Sequence, residues 1–221
     1  MRTLILVVTS GATDAVGFLA LGGAFTSVMT GNLVLLGVAV AHANSVLAAH
    51  TVTAIGSFVM GAWLGARVSM SGRGSDDDPA WPRGVTRALC VELAVLSTFA
   101  VWWWATEGTH RDSVWFALML NAAALGIQSS AVQRFGVTGL STTYLTGTLT
   151  TLVVALASGR SVGDLRHSAA SLLALVGGAV AGALMCSYAP AWVPALQLGL
   201  LISVLTSARL VRRPRQEPVC P

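Results

Sequence analysis

Apolar runs separated by short polar breaks fill this chain almost from end to end. Eight stand out, at residues 4–22, 26–41, 48–69, 86–105, 113–133, 140–157, 166–188 and 192–209. Their lengths predict helices, most of them long enough for the roughly 30 Å hydrocarbon core of a bilayer. The second and sixth runs differ from the rest. Residues 26–41 reach only about 24 Å as a helix, and both runs are rich in small polar side chains: the Thr26, Ser27 and Thr30 hydroxyls and the Asn32 amide in one, and the hydroxyls of Ser141, Thr142, Thr143, Thr146, Thr148, Thr150 and Thr151 in the other. Polar or irregular backbone at membrane depth is tolerated only where protein or water surrounds it. The two short runs are therefore expected to be re-entrant or discontinuous helices packed inside the bundle.

These two runs are also copies of one motif. Phe25–Leu36 aligns with Ser141–Leu152 at an offset of 116, with Thr26/Thr142, Thr30/Thr146, Gly31/Gly147, Leu33/Leu149 and Leu36/Leu152 identical. At an offset of 117, Gly61-Ala62 and Gly65-Ala66 meet Gly178-Ala179 and Gly182-Ala183. The chain thus reads as two internal repeats, 1–105 and 106–211, followed by a basic tail at 212–221. Gly61-x-x-x-Gly65 and Gly178-x-x-x-Gly182 form small-residue faces suited to close helix packing, between the halves or between two copies in a homodimer.

Charge decides how many runs cross. If all eight cross, the 13 arginines split 8 against 5; if the two short runs enter and return on one face, they split 12 against 1. The positive-inside rule favours the second arrangement, with both termini cytoplasmic. Each half then makes three crossings, and an odd number inverts the second half relative to the first. The expected fold is an all-α polytopic helix bundle with inverted repeats, a frequent plan among secondary transporters; eight crossings with parallel repeats is the alternative.

Composition places the chain in lipid: 54% of residues are hydrophobic and 10% charged, against roughly 25% charged in soluble domains. The net charge of +4 comes from arginines scattered singly, with no basic–aromatic platform for nucleic acid. Cys90, Cys186 and Cys220 are too far apart for a disulfide framework or a Cys-x-x-Cys metal site. The four histidines stand alone, so neither cofactor nor metal is expected. The N-terminal run faintly resembles a signal peptide, but Thr9, Ser10, Thr13 and Asp14 interrupt it, so it reads as part of the fold. Ser71–Pro79 is a polar loop.

The candidate chemistry lies in the few polar residues at membrane depth. Asp14 sits near the centre of its run, where a carboxylate costs roughly 2.5–3.5 kcal/mol on insertion scales. Two roles remain open for it: a proton, cation or amine site, or a cap on the broken start of a short helix. Glu92, near the start of its run, is expected to form an interfacial ion pair with Arg87. Gln128-Ser129-Ser130 occupies in the second half the place that Thr13-Asp14 holds in the first. Thr30-Gly31-Asn32 and Thr146-Gly147-Thr148 are candidates for half-helix ends whose backbone N–H groups face a ligand. With Asp14, Gln128 and Thr142, these residues make up the expected site.

Gly11-x-x-Asp14-Ala15-x-x-Phe18-Leu19-x-Leu21-Gly22-x-x-Phe25-x-x-x-Met29-Thr30-Gly31-Asn32 resembles the N-terminal signature of the YoaK-like (DUF1275) family of bacterial inner-membrane proteins. Gly126-x-Gln128 and Thr142-Thr143-Tyr144-x-Thr146-Gly147-Thr148-Leu149 resemble its second signature. The resemblance implies a multi-pass inner-membrane protein, often presumed to be a transporter, and brings no substrate or catalytic residue with it. The residues themselves point to a secondary transporter of a small polar solute or ion. A non-catalytic scaffold subunit and a channel are the alternatives. A membrane enzyme is disfavoured, because no nucleophile–base set or carboxylate pair occurs at catalytic spacing.

Overall fold

The computed structural model describes residues 2–71, 81–106, 114–133, 145–158 and 162–211. The polar loop after Ser71 and the basic tail at 212–221 lie outside them. Every apolar run is a helix: α1 (Arg2–Ala20), α2 (Met29–Ala41), α3 (Ser45–Met70), α4 (Arg83–Ala105), α5 (Val114–Val132), α6 (Leu145–Ala157), α7 (Val162–Tyr188) and α8 (Val193–Val211). A short 3₁₀ turn, Pro190–Trp192, precedes α8. The described residues contain no strand. Six helices are long and apolar enough to cross a membrane; α2 and α6, at 13 residues each, are not.

Long-range contacts set the helix directions. Arg2 at the start of α1 donates to the Ser207 carbonyl near the end of α8 (2.8 Å), and Gln197 near the start of α8 donates to Thr13 (3.1 Å), so these helices are antiparallel. The Trp103 and Trp104 indoles, at the end of α4, donate to the Pro190 and Ala191 carbonyls beside the start of α8. The Trp102 and Phe116 rings, 5.9 Å apart, join the end of α4 to the start of α5. The bundle therefore has an Arg2 end and a Trp103 end.

Two helix pairs pack in parallel through glycine. On α3, a Cβ at Gly61 would collide with the Ala123 carbonyl, and one at Gly65 would strike Ile127; from α5, a Cβ at Gly126 would strike Phe58 and Ala62. On α7, Gly178 lies against Val8 and Gly182 against Ala12, and from α1 Gly11 lies against Leu175 and Ala179. Lipid tails are as apolar as leucine, so close van der Waals approach of this kind drives helix association in a bilayer. These glycine faces are consumed inside the chain. They are therefore not available as contacts between two copies of the chain.

The connection from α1 to α2 doubles back into the bundle. Gly22 and Gly23 take φ values of +94° and +78°, and the His50 ring fills the space a Cβ on Gly22 would need. By Thr26 the chain is hydrogen-bonded to Asp14, six residues or about 9 Å below the end of α1. From that depth α2 runs back, packed on α3, whose start Asn44 caps by accepting from the Leu47 amide.

Candidate functional site

The polar residues of α1 belong to two different constructions. Asp14, 6% exposed, is surrounded by donors. Its Oδ1 accepts from the Thr26 amide (2.8 Å), the Ser27 amide (2.7 Å) and the Thr26 hydroxyl (3.1 Å); its Oδ2 accepts from the Ser27 hydroxyl (2.5 Å). This is the capping arrangement, with a carboxylate meeting N–H groups just ahead of a helix that has no side-chain cap of its own. Asn32 secures the same segment from α2: its Oδ1 accepts from the Phe25 amide (2.8 Å) and its Nδ2 donates to the Phe25 carbonyl (2.7 Å). Gly31 faces the Phe25 ring, where a Cβ would lie 3.2 Å away. Beside this clasp, α1 and α7 border a groove of about 500 Å³. Phe18, Phe25, Leu175 and Val180 line it, and Asp14 is its one charged neighbour.

One turn earlier on α1 begins a second cluster, made of uncharged groups. Gln128 on α5 donates to the Leu6 carbonyl (3.1 Å) and to the Ser10 hydroxyl (2.9 Å). Gln197 on α8 donates to Thr13 (3.1 Å) and to Asn121 Oδ1 on α5 (2.9 Å), while Asn121 Nδ2 donates to the Ala117 carbonyl. Three helices are thus tied together by buried amides and hydroxyls. The amide nitrogens are used, but the Gln128 and Gln197 Oε1 atoms have no hydrogen-bond partner among the described residues. Glu92 on α4 is fully buried, and among the described residues neither of its carboxyl oxygens has a hydrogen-bond partner.

The expected ion pair between Glu92 and Arg87 is not formed. Five residues turn a helix by about 140°, which separates the two side chains: Arg87 is exposed and donates to the Ser71 carbonyl (2.6 Å), whereas Glu92 faces the core. Of the other expected site residues, Asp14, Gly31 and Asn32 meet at the clasp. Gln128 joins the amide cluster instead. Thr30, Thr146 and Gly147 are exposed, and Thr148 is buried. Nothing lies within 4 Å of a Cβ built on Gly147. Thr142 lies outside the described residues. Ser10, Thr13 and Gln197 carried no expectation; the sole signal for Gln197 is an amide in an otherwise apolar stretch. Among the described residues no three His, Cys, Asp or Glu side chains gather as a metal site.

Comparison with known proteins follows this geometry. The family described as "Protein of unknown function (DUF1275)" matches residues 3–207. The UPF0700 transmembrane protein YoaK of Bacillus subtilis (strain 168) is 34% identical over 151 residues, covering 67% of this chain and 63% of that relative. The match thus spans somewhat less than two thirds of the relative's length. No solved structure matches.

Proposed function

The chain belongs to the DUF1275 family of multi-pass membrane proteins of unknown function, and for it we propose secondary transport of a small polar solute or ion. The observation that carries this reading is the cluster of α1, α5 and α8. Ser10, Thr13, Asn121, Gln128 and Gln197 are buried within membrane-length helices, and two amide oxygens among them remain open. Polar groups at bilayer depth are costly, and they commonly mark solute and ion pathways. A scaffold would be served equally well by an apolar core. The role proposed is non-catalytic.

Two inverted halves, 1–105 and 106–211, support the reading. A shift of 115 residues along α1 gives α5, and a shift of 117 along α3 gives α7. Under it Gly61 against Ala123 becomes Gly178 against Val8, and Gly65 against Ile127 becomes Gly182 against Ala12. Likewise Gly126 against Phe58 and Ala62 becomes Gly11 against Leu175 and Ala179. Helices α1 and α5 are antiparallel, because Thr13 is linked through Gln197 to Asn121 while Gln128 reaches back to Leu6. Two copies related by inversion, with polar groups where they meet, is the plan of many alternating-access carriers. The short α2, starting at the depth of Asp14, suits a re-entrant element. The arginine distribution supports an inner-membrane orientation with both termini in the cytoplasm.

The test begins with thermal-shift screening of the purified protein against ions, amines, carboxylates and nucleobases. Any stabilising solute is then measured for counterflow in proteoliposomes. Transport is supported by a solute that both stabilises and exchanges, with Gln128→Leu and Gln197→Leu weakening the exchange at least tenfold. Stabilisation and exchange absent for every class would overturn it.

A further inference from the structure

Glu92 is used by neither the clasp nor the amide cluster, yet it is as deeply buried as any residue of the chain. Its helical neighbours at one-turn spacing, Ala88, Leu89 and Leu96, are fully buried as well. They belong to an apolar cluster with Leu125 of α5 and Leu201 of α8. The carboxyl therefore points between α4, α5 and α8.

The charged and titratable groups described on the surrounding helices are engaged or exposed elsewhere. Helix α5 carries none, and α8 carries only Arg209, in its last turn. On α3, Arg67 is exposed over the Trp63 ring, and His50 lies against the Trp115 ring at 4.2 Å. On α1, Arg2 lies over Trp81 and is bonded to Ser207, and Asp14 is filled by Thr26 and Ser27. On α4 itself, Arg83, Arg87 and Cys90 are exposed. Among the described residues no donor is supplied to a carboxylate at this position, and an isolated charge in such surroundings is strongly disfavoured.

The same core also holds an amide oxygen without a partner among the described residues, Gln128 Oε1. The Trp102–Phe116 contact sets the register of α4 on α5. Glu92 lies ten residues before Trp102, about 15 Å along its helix, and Gln128 lies twelve after Phe116, about 18 Å along its own. Helix rise thus puts Gln128 on α5 at roughly the depth of Glu92 on α4, the two positions differing by about 3 Å along the axis. A protonated carboxyl needs no donor, whereas a carboxylate finds none among the described residues.

We propose that Glu92 is the proton-carrying carboxyl of this bundle, holding its proton while the core is closed and surrendering it when water enters. On release the carboxyl O–H breaks, the electron pair stays on the carboxylate oxygen, and the proton passes to the entering water. The reverse step reloads the site. This deepens the transport reading and rests on it for its purpose: the proton is what a solute gradient would be coupled to.

The experiment needs no solute, so its failure is distinct from failure of that reading. Full-length protein in proteoliposomes is subjected to pH jumps, recording charge displacement on a solid-supported membrane and the protonated-carboxyl C=O band by infrared difference spectroscopy. Wild type and Asp14→Asn are expected to give both signals, and Glu92→Gln to lose both. Should Glu92→Gln fail to fold, Glu92→Asp is read in its place, with the band retained at a shifted frequency. The proposal is overturned by a silent wild type, by signals that persist in Glu92→Gln, by signals lost in Asp14→Asn, or by an unshifted band in Glu92→Asp. A proton signal in a protein that exchanges no solute would remove the transport reading and leave the proton site standing.

Discussion

Asp14 and Glu92 are two carboxyls buried in membrane-length helices of one bundle, and their surroundings are opposite. Two amides and two hydroxyls meet Asp14; among the described residues no hydrogen-bond partner meets Glu92. Burial therefore says little about the role of an intramembrane acid until its donors are counted. A carboxylate with four donors has exchanged water for protein and fixes the chain that supplies them. One with none is a standing cost, which a membrane protein has reason to keep only for what the group can bind or release. The contrast also assigns labour within the bundle: the clasp at Asp14 holds α2 in place, and the interface of α4, α5 and α8 holds the proton-carrying group.

The most direct way to break the contrast is to remove the carboxyl that has partners. Asp14→Leu leaves the Thr26 and Ser27 amides without acceptors, at about 1–3 kcal/mol each. The expected loss of stability is about 4 kcal/mol, read from thermal or SDS unfolding of the purified protein. A loss under about 1 kcal/mol would mean that the segment rearranges freely and that Asp14 holds nothing. Asn32→Ala tests the other jaw of the clasp. It strands the Phe25 amide and carbonyl, and about 2 kcal/mol is expected in the same assay.

Glu92→Met should move stability in the other direction. Replacing an unpaired buried polar group by an apolar one of similar size is neutral or favourable. A gain of about 1 kcal/mol is expected, together with loss of the pH-jump signals. A destabilisation comparable with that of Asp14→Leu would erase the distinction between the two acids, since it would require partners for Glu92 that the described residues do not contain.

Much of this architecture could be read before any coordinates. All eight helices coincide with apolar runs, because in a bilayer a helix must be apolar and long enough to span, and both properties are written locally. The two Gly-x-x-x-Gly faces were visible as packing surfaces for the same reason. The site was less legible, because it depends on helical phase and on which helices become neighbours. Thr30 and Asn32 share a motif, but two residues turn a helix by about 200°, so one faces outward and the other is enclosed. Arg87 and Glu92 are separated by phase in the same way. Gln197 acquires its meaning only from Thr13 and Asn121, 184 and 76 residues away in the chain. No local pattern encodes that meeting. The order of donors around Asp14 was equally hidden, because the return of Phe25–Ser27 to its depth is made by the Gly22-Gly23 turn and not by any periodicity.

The smallest expected effect sharpens the contrast most cheaply, because it separates the clasp from the motif that names it. Thr30 stands between Ser27 and Asn32 in sequence but is exposed, and Thr146, which precedes Gly147 as Thr30 precedes Gly31, is exposed as well. Thr30→Val and Thr146→Val remove a hydroxyl and keep the shape. Each is expected to change stability by less than about 0.5 kcal/mol, as for ordinary surface positions, and to leave the Glu92 pH-jump signals unchanged. Ser27→Ala, three residues away and also a single hydroxyl, is expected to cost about 1.5–3 kcal/mol because its bond is to a charged group. The same deletion would then differ severalfold across one turn of chain, the difference resting on whether the hydroxyl reaches Asp14. Equal costs for Ser27→Ala and Thr30→Val would show that the hydroxyls act collectively, as a polar lining, and that donor geometry around Asp14 does not set their contribution.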